Sequence, residues 1–318
     1  MGILFAVLMI VTFGFAYNSV QSNTICLAWQ KAFGIEPATM GIILTALTLL
    51  IIFGGIQRVA KFSSTVVPVM AVVYLLIAVG VVIWNITSLP KVLLIIIENA
   101  FGFNQAAGGV LGVTVIQGIK RGLFSNEAGE GSAPNAAAVA TVSHPVKQGL
   151  IQALGVFTDT LVVCSCTAFI ILMSGVDVTA SNGIQLTQDA LTHEIGSIGN
   201  PFVAVMIWLF AFSSIIGNYY YGETNVRYIK DSRLGVFIYR LAVAAMVMIG
   251  AIVSLDFAWS FADITMALLT LCNLAAIVLL SRQAVFLLQD YRQQKKEGKN
   301  PVFNKEKMPE IADKLEAW

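Results

Sequence analysis

The chain reads as an all-α membrane protein with eight crossings, and three observations carry that reading. Hydrophobic residues make up 57% of the 318 positions and charged residues 12%, against roughly 25% charged in an ordinary globular chain. Mean hydropathy is +0.81, and the apolar residues gather in runs long enough for a bilayer, which takes about 20 residues per crossing. Lysines and arginines fall almost entirely on one side of those runs. A soluble domain is excluded. The net charge of +1 points to no nucleic acid, so the expected environment is the lipid bilayer.

Hydropathy places the crossings near 2–29, 38–56, 64–86, 106–123, 148–174, 199–221, 236–255 and 261–281. No basic leader or small-residue cleavage site precedes the first, so a signal peptide is not expected. The fourth is rich in glycine (Gly108, Gly109, Gly112, Gly118) and leads directly into a polar stretch. Leu89 to Phe103 is apolar but too short to cross, which predicts a surface or re-entrant helix. Residues 1–281 form the transmembrane domain and 282–318 a solvated cytoplasmic tail mixing eight basic with six acidic side chains.

Orientation follows from the cations. With Met1 in the cytoplasm, the inner segments hold seventeen lysines and arginines and the outer ones only Lys31 and Lys91. Both termini are therefore expected inside, with the Gly175–Ile198 loop outside. Lys120 and Arg121 draw the start of the polar stretch toward the inner edge. On that count the break at mid-depth lies either in Gly122–Asn135 or in Gly108–Gly112.

That stretch, Gly-Leu-Phe-Ser-Asn-Glu-Ala-Gly-Glu-Gly-Ser-Ala-Pro-Asn from Gly122 to Asn135, is the most informative in the chain. Irregular polar backbone at membrane depth is tolerated only where it faces protein or a water-filled cavity. Secondary transporters use such breaks to present helix ends and free backbone groups to an ion and a substrate. A transporter is the function that this implies.

Charged side chains at the bilayer centre cost about 2.5–3.5 kcal/mol on insertion scales, so each one needs a reason. Glu127 and Glu130 lie in the break and Asp159 near the middle of the fifth span. Each is either an ion ligand or a structural brace. Gln21, Ser22 and Asn23 sit in the outer half of the first span, and Ser213 and Ser214 deep in the sixth. Adjacent hydroxyls with main-chain carbonyls suit sodium; alternatively the serines bond back to their own helix. Tyr219, Tyr220 and Tyr221 read as an interfacial belt. The four cysteines read as small apolar fillers. His144 and His193 fall on opposite sides of the membrane, which speaks against a metal site or a catalytic triad, and an enzyme is not expected.

The run Phe124-Ser-Asn-Glu-Ala-Gly-Glu-Gly-Ser-Ala-Pro134 resembles the signature of the alanine or glycine:cation symporters, the sodium:alanine symporter family. His144-Pro145 with Gln148-Gly149, Phe157 to Cys164, Phe210 to Asn218 and Phe261 to Met266 also resemble family positions. Glu130 departs from it, standing where many members carry methionine. The resemblance implies a leucine-transporter-like inverted-repeat fold in which the eight spans are core helices three to ten. On that plan the first helices are lacking and the chain is an N-terminally truncated symporter. It also implies that Phe124, Ser125 and Asn126 line the amino-acid pocket, that Gln21, Ser22 and Asn23 face it, and that Ser213 and Ser214 ligate sodium. The expected function is sodium-coupled symport of alanine or glycine across a bacterial inner membrane by alternating access. A non-transporting fragment is the alternative, and a membrane-embedded enzyme a more distant one.

Overall fold

The first helix, α1 (Gly2–Phe33), runs for 32 residues because nothing in it breaks a helix until Gly34. Gly34 adopts φ +68°, and its amide closes the last turn on the Gln30 carbonyl. Pro37 then opens α2 (Pro37–Ile52) from the first-turn position where its missing N–H costs nothing. The computed structural model describes the backbone of residues 1–54, 56–101, 108–312 and 315, and side chains of 1–54, 68–101, 115–310, 312 and 315.

The remaining helices are α3 (Ile56–Trp84), α4 (Leu89–Phe101), α5 (Gly108–Asn126), α6 (Ser132–Ala137), α7 (Pro145–Ser174) and α8 (Ile184–Ile195). After them come α9 (Gly199–Ile229), α10 (Arg233–Ile252), α11 (Leu255–Lys296) and the short α12 (Pro309–Ala312). No strand occurs among the described residues. Side-chain caps fix three starts: His144 accepts from Val146, Ser232 from Gly235 and Ser254 from Phe257.

Helices stand at all eight expected positions, but not all are long and apolar enough to cross. Among the described residues five helices meet that condition, and a sixth if Pro68–Trp84 and Ile86–Phe101, bent by 75°, form one broken span. The 16 residues of α2 rise only about 24 Å at 1.5 Å each, short of a hydrocarbon core of about 30 Å. The bent pair also accounts for the apolar stretch read as a surface or re-entrant helix. The start of the fourth expected span, 106–107, lies outside the described residues.

Three apolar clusters hold the bundle. In the first, Ile25, Leu44, Phe212, Ile215 and Val243 join α1, α2, α9 and α10. Phe13, Tyr17, Ala262 and Leu269 join α1 to α11, with Phe124 of α5 packed against them. Ala78, Ile170, Leu191 and Val203 join α3, α7, α8 and α9. The α1–α10 contact is close: a Cβ on Gly250 would sit 2.5 Å from the Ser19 Cα. A Gly250→Ala change would have to part the two helices.

Two expectations change here. Tyr219 and Tyr221 turn inward instead of forming a belt: Tyr219 stacks on Tyr239 and bonds Glu223 and Arg240, while Tyr221 packs edge-on to Phe13. The tail is not wholly solvated either. Residues 300–307 fold back onto the start of α7, where the Phe303 amide donates to the Ser143 carbonyl at 2.9 Å and Lys147 donates to Asn300 at 2.8 Å. His144 is 0% exposed beneath Tyr291 and Phe303, 3.3 Å from the Asp290 carboxylate. Burial pushes the Asp290 carboxyl up, but hydrogen bonds from Lys307, His144 and Gln294 outweigh it and hold Asp290 below the usual carboxylate range.

Candidate functional site

The site is built where α5 stops. Gly108–Asn126 is one continuous helix, so the break lies in the polar stretch and not at Gly108–Gly112. Glu127 at φ 55°, Gly129 at φ +92° and Gly131 at φ +90° turn the chain before α6 resumes at Ser132. For Glu127 that conformation costs about 1–2 kcal/mol, so the surroundings must hold it. They do so through the Ser132 hydroxyl, which donates to the Glu127 carboxylate at 2.5 Å. The Asn126 side chain also closes a local turn by accepting from the Ala128 amide at 2.9 Å.

Two π-helical turns face this break. The first, Ile10–Tyr17 in α1, brings the Tyr17 hydroxyl to donate to Glu130 Oε1 at 2.7 Å. The second, Asp159–Cys164 in α7, faces the end of α5. There Ser125 donates to Asp159 at 2.6 Å and Asn126 donates to Thr160 at 2.8 Å. The Cys164 sulfur lies 3.1 Å from the Ser125 hydroxyl. From α11, Asn273 donates to the Gly129 carbonyl at 2.8 Å. Turns of this wider kind recur at functional sites because each re-aims the side chains around it.

An aromatic layer caps the end of α5. The Phe124 ring lies 4.5 Å from Tyr17 and 4.7 Å from Trp259. The Arg121 guanidinium sits 3.9 Å over Trp259 and pairs with Asp263, which Lys120 also reaches at 3.1 Å. Trp259 and Asp263 lie one and two turns into α11, whose first residue, Leu255, packs near Gly183 of the 175–198 loop. Lys120 and Arg121 thus lie toward that loop, not toward the opposite edge as the charge count placed them. The physical reason is that α5 ends part-way, and the break carries the chain on to Gly131, which meets Phe5 near the start of α1. Without these two, fifteen of the nineteen lysines and arginines still fall in the segments that the charge count assigns to the tail's side.

On the other side of the break a cavity of about 380 Å³ opens, lined by Phe5, Gly131, Pro134, Asn135, Cys272 and Asn273 among others. Small-molecule sites start at roughly that size.

The structure brings Phe124, Ser125, Asn126, Glu127, Glu130 and Asp159 together. Four of the other expected site residues hydrogen-bond elsewhere. Ser22 donates to the Val247 carbonyl at 2.6 Å, and Asn23 donates to Gly250 and Val253 at 3.0 and 2.8 Å, so both face α10. Gln21 beside them is half-buried. Ser213 and Ser214 both donate to the Phe210 carbonyl, one turn back in α9, at 2.7 and 3.1 Å. Tyr17, Thr160, Trp259 and Asn273 are members of the site that the sequence reading did not name. Cys164, read as a buried filler, is exposed beside Ser125.

Comparison with known proteins adds the following. A family model described as the sodium:alanine symporter family matches residues 1–305. A probable sodium/glutamine symporter of Bacillus subtilis, GlnT, is 53% identical over 96% of this chain and 64% of its own length. The amino-acid carrier protein AlsT of the same organism is 50% identical over 100% of this chain and 68% of its own. The sodium/alanine symporter AgcS of Methanococcus maripaludis is 34% identical over 89% and 63%. The chain spans about two thirds of the length of these relatives.

Proposed function

This chain belongs to the sodium:alanine symporter family, a family of symporters and not of enzymes, and from that premise we propose that it serves sodium-coupled import of a small neutral amino acid. The observation that carries the reading is the break at Glu127–Gly131, held between the two π-helical turns of α1 and α7. We propose a bacterial inner-membrane protein with both ends cytoplasmic. Its eight helices are core helices three to ten of a leucine-transporter-like fold.

In this mechanism Phe124, Ser125 and Asn126 hold the amino acid. The end of α5 supplies main-chain carbonyls with no partner inside the helix, which suit an ammonium group or a cation. Ser213 and Ser214 bind sodium: each hydroxyl proton is directed at Phe210, which leaves oxygen lone pairs for the ion. The Tyr17–Phe124–Trp259 layer, pinned by Arg121 and Asp263, closes the loop side of the site. The cavity beside Gly131 is the route on the other side. Sodium orders the site, so amino acid binds better when it is present. One sodium ion moving down about 100 mV yields roughly 2.3 kcal/mol. A tenfold sodium gradient adds about 1.4 kcal/mol, and together they sustain an amino-acid gradient of several hundredfold, roughly.

Alanine or glycine is the substrate on this reading. Glutamine is the second reading, favoured by the higher identity to the relative named for it, 53% against 34% for the one named for alanine. The test is uptake into liposomes under an imposed sodium gradient, with labelled alanine, glycine and glutamine supplied separately. Accumulation of one of them that collapses without the gradient supports the reading. No gradient-dependent accumulation of any of the three refutes it.

A further inference from the structure

We propose that Glu130, seated on Tyr17, is a proton-binding site, and that the transport cycle proposed above loads and unloads it. The inference rests on that transport reading for its role, but not for its chemistry. Glu130 is 0% exposed, its Oε1 accepts from the Tyr17 hydroxyl at 2.7 Å, and its Oε2 is buried with no hydrogen-bond partner among the described residues. No lysine, arginine or histidine among the described residues forms an ion pair with it.

Among the described residues, no positive charge on the neighbouring elements pairs with it either. On the same segment Glu127 is occupied by Ser132, and on α1 Tyr17 donates to Glu130 itself. On α9 Tyr221 lies in the field of both carboxylates, and Glu223 pairs with Arg227 and Arg240. On α11 Asp263 already holds Lys120 and Arg121, and Asn273 brings a neutral amide to Gly129. Asp159 of α7, within reach of Glu127, accepts from Ser125. An ionised carboxylate here would be buried beside other carboxylates with one oxygen wholly unpaired, the costliest arrangement for a charge. A proton on Oε2 removes that charge and leaves the Tyr17 bond to Oε1 intact.

The step is a simple one. A proton from water forms an O–H bond at Oε2 when the break is open to solvent, and it returns to water when the carboxylate is next solvated. Tyr17 keeps its own proton throughout. Because Glu130 lies on the three-residue approach to α6, its charge state and the closure of the break are coupled.

Two measurements test this. The first is the infrared difference spectrum of the purified protein between neutral and alkaline pH. We expect the carbonyl stretch of a protonated carboxyl, lost in Glu130→Gln, retained in Glu127→Gln, and shifted in Tyr17→Phe. The second is the pH profile of sodium-driven uptake. The native protein should slow at least severalfold toward alkaline pH, and Glu130→Gln, which is neutral at every pH, should be flat. A carboxyl band that survives Glu130→Gln overturns the proposal, as does an unchanged pH profile in that variant. Should Glu130→Gln fail to fold, Glu130→Met supplies another side chain that is neutral at every pH for both measurements. Absence of uptake in every variant refutes the transport reading, while the spectrum still decides the proton site.

Discussion

Asn126 is the residue on which the break turns, and its loss can be worked through. Asn126→Ala deletes the bond to Thr160 of α7 and the turn that accepts from the Ala128 amide. The first is worth about 1 kcal/mol, and stranding the amide costs about 1–3 kcal/mol more. A loss of about 2–4 kcal/mol lowers the population of the ordered break by a factor of roughly 30 to several hundred. Thr160→Val removes only the bond across to α7, about 0.5–1.5 kcal/mol, or roughly two- to tenfold.

The assay is a double-mutant cycle on the initial rate of sodium-driven uptake, with thermal stability in detergent measured in parallel. If the two side chains act through their shared bond, Asn126→Ala with Thr160→Val is no slower than Asn126→Ala alone. That leaves a coupling of about 0.5–1.5 kcal/mol. Effects that simply multiply would show that Asn126 and Thr160 act separately, and the bridging of α5 to α7 would lose its role in the mechanism.

Three further outcomes are expected. Ser213→Ala should weaken apparent sodium affinity more than amino-acid affinity; unchanged sodium dependence would leave the serine as a helix-packing residue bonded to Phe210. The fold-back of the tail should depend on pH through Asp290, whose carboxyl is held below its ordinary value. A depressed carboxylate stabilises the docked form above the ordinary value of about 4 and stops doing so as pH falls through its own lower value. Spin labels at Gln148 and Val302 should therefore hold a narrow distance at neutral pH and broaden under acid, whereas constancy down to pH ~2 would remove Asp290 from the contact. Finally, a cysteine at Ser181 should react with an impermeant reagent from outside and one at Lys299 should not; the reverse pattern would invert the topology.

The difference between what the sequence made legible and what it hid is physical. Hydropathy is a local property, so the eight apolar runs and the polar stretch of α5–α6 were readable residue by residue. The polar stretch was readable as one of two candidate breaks, because glycine and carboxylates do not sit in lipid without cause, and the continuous helix Gly108–Asn126 decides between them. What each polar side chain touches was not readable, because that depends on helix rotation. Gln21, Ser22 and Asn23 were set at the pocket by the family resemblance, which does not say how this helix is rotated.

A π-helical turn at Ile10–Tyr17 lies in the same helix. The wider turn resets the register, since each residue of an α-helix advances the face by about 100°. Ser22 and Asn23, beyond it, meet α10, and Tyr17, at its end, meets Glu130. The second π-helical turn, at Asp159–Cys164, likewise aims Asp159, Thr160 and Cys164 together at the end of α5. In an ordinary α-helix Thr160 and Cys164 would share a face, with Asp159 about 100° from Thr160. The cations were misread for a related reason. Counting Lys120 and Arg121 as edge residues supposes that a helix ends where the membrane does, and α5 ends inside the protein. Several of the features that escaped the sequence are departures from the uniform helix, and the site is built where those departures meet.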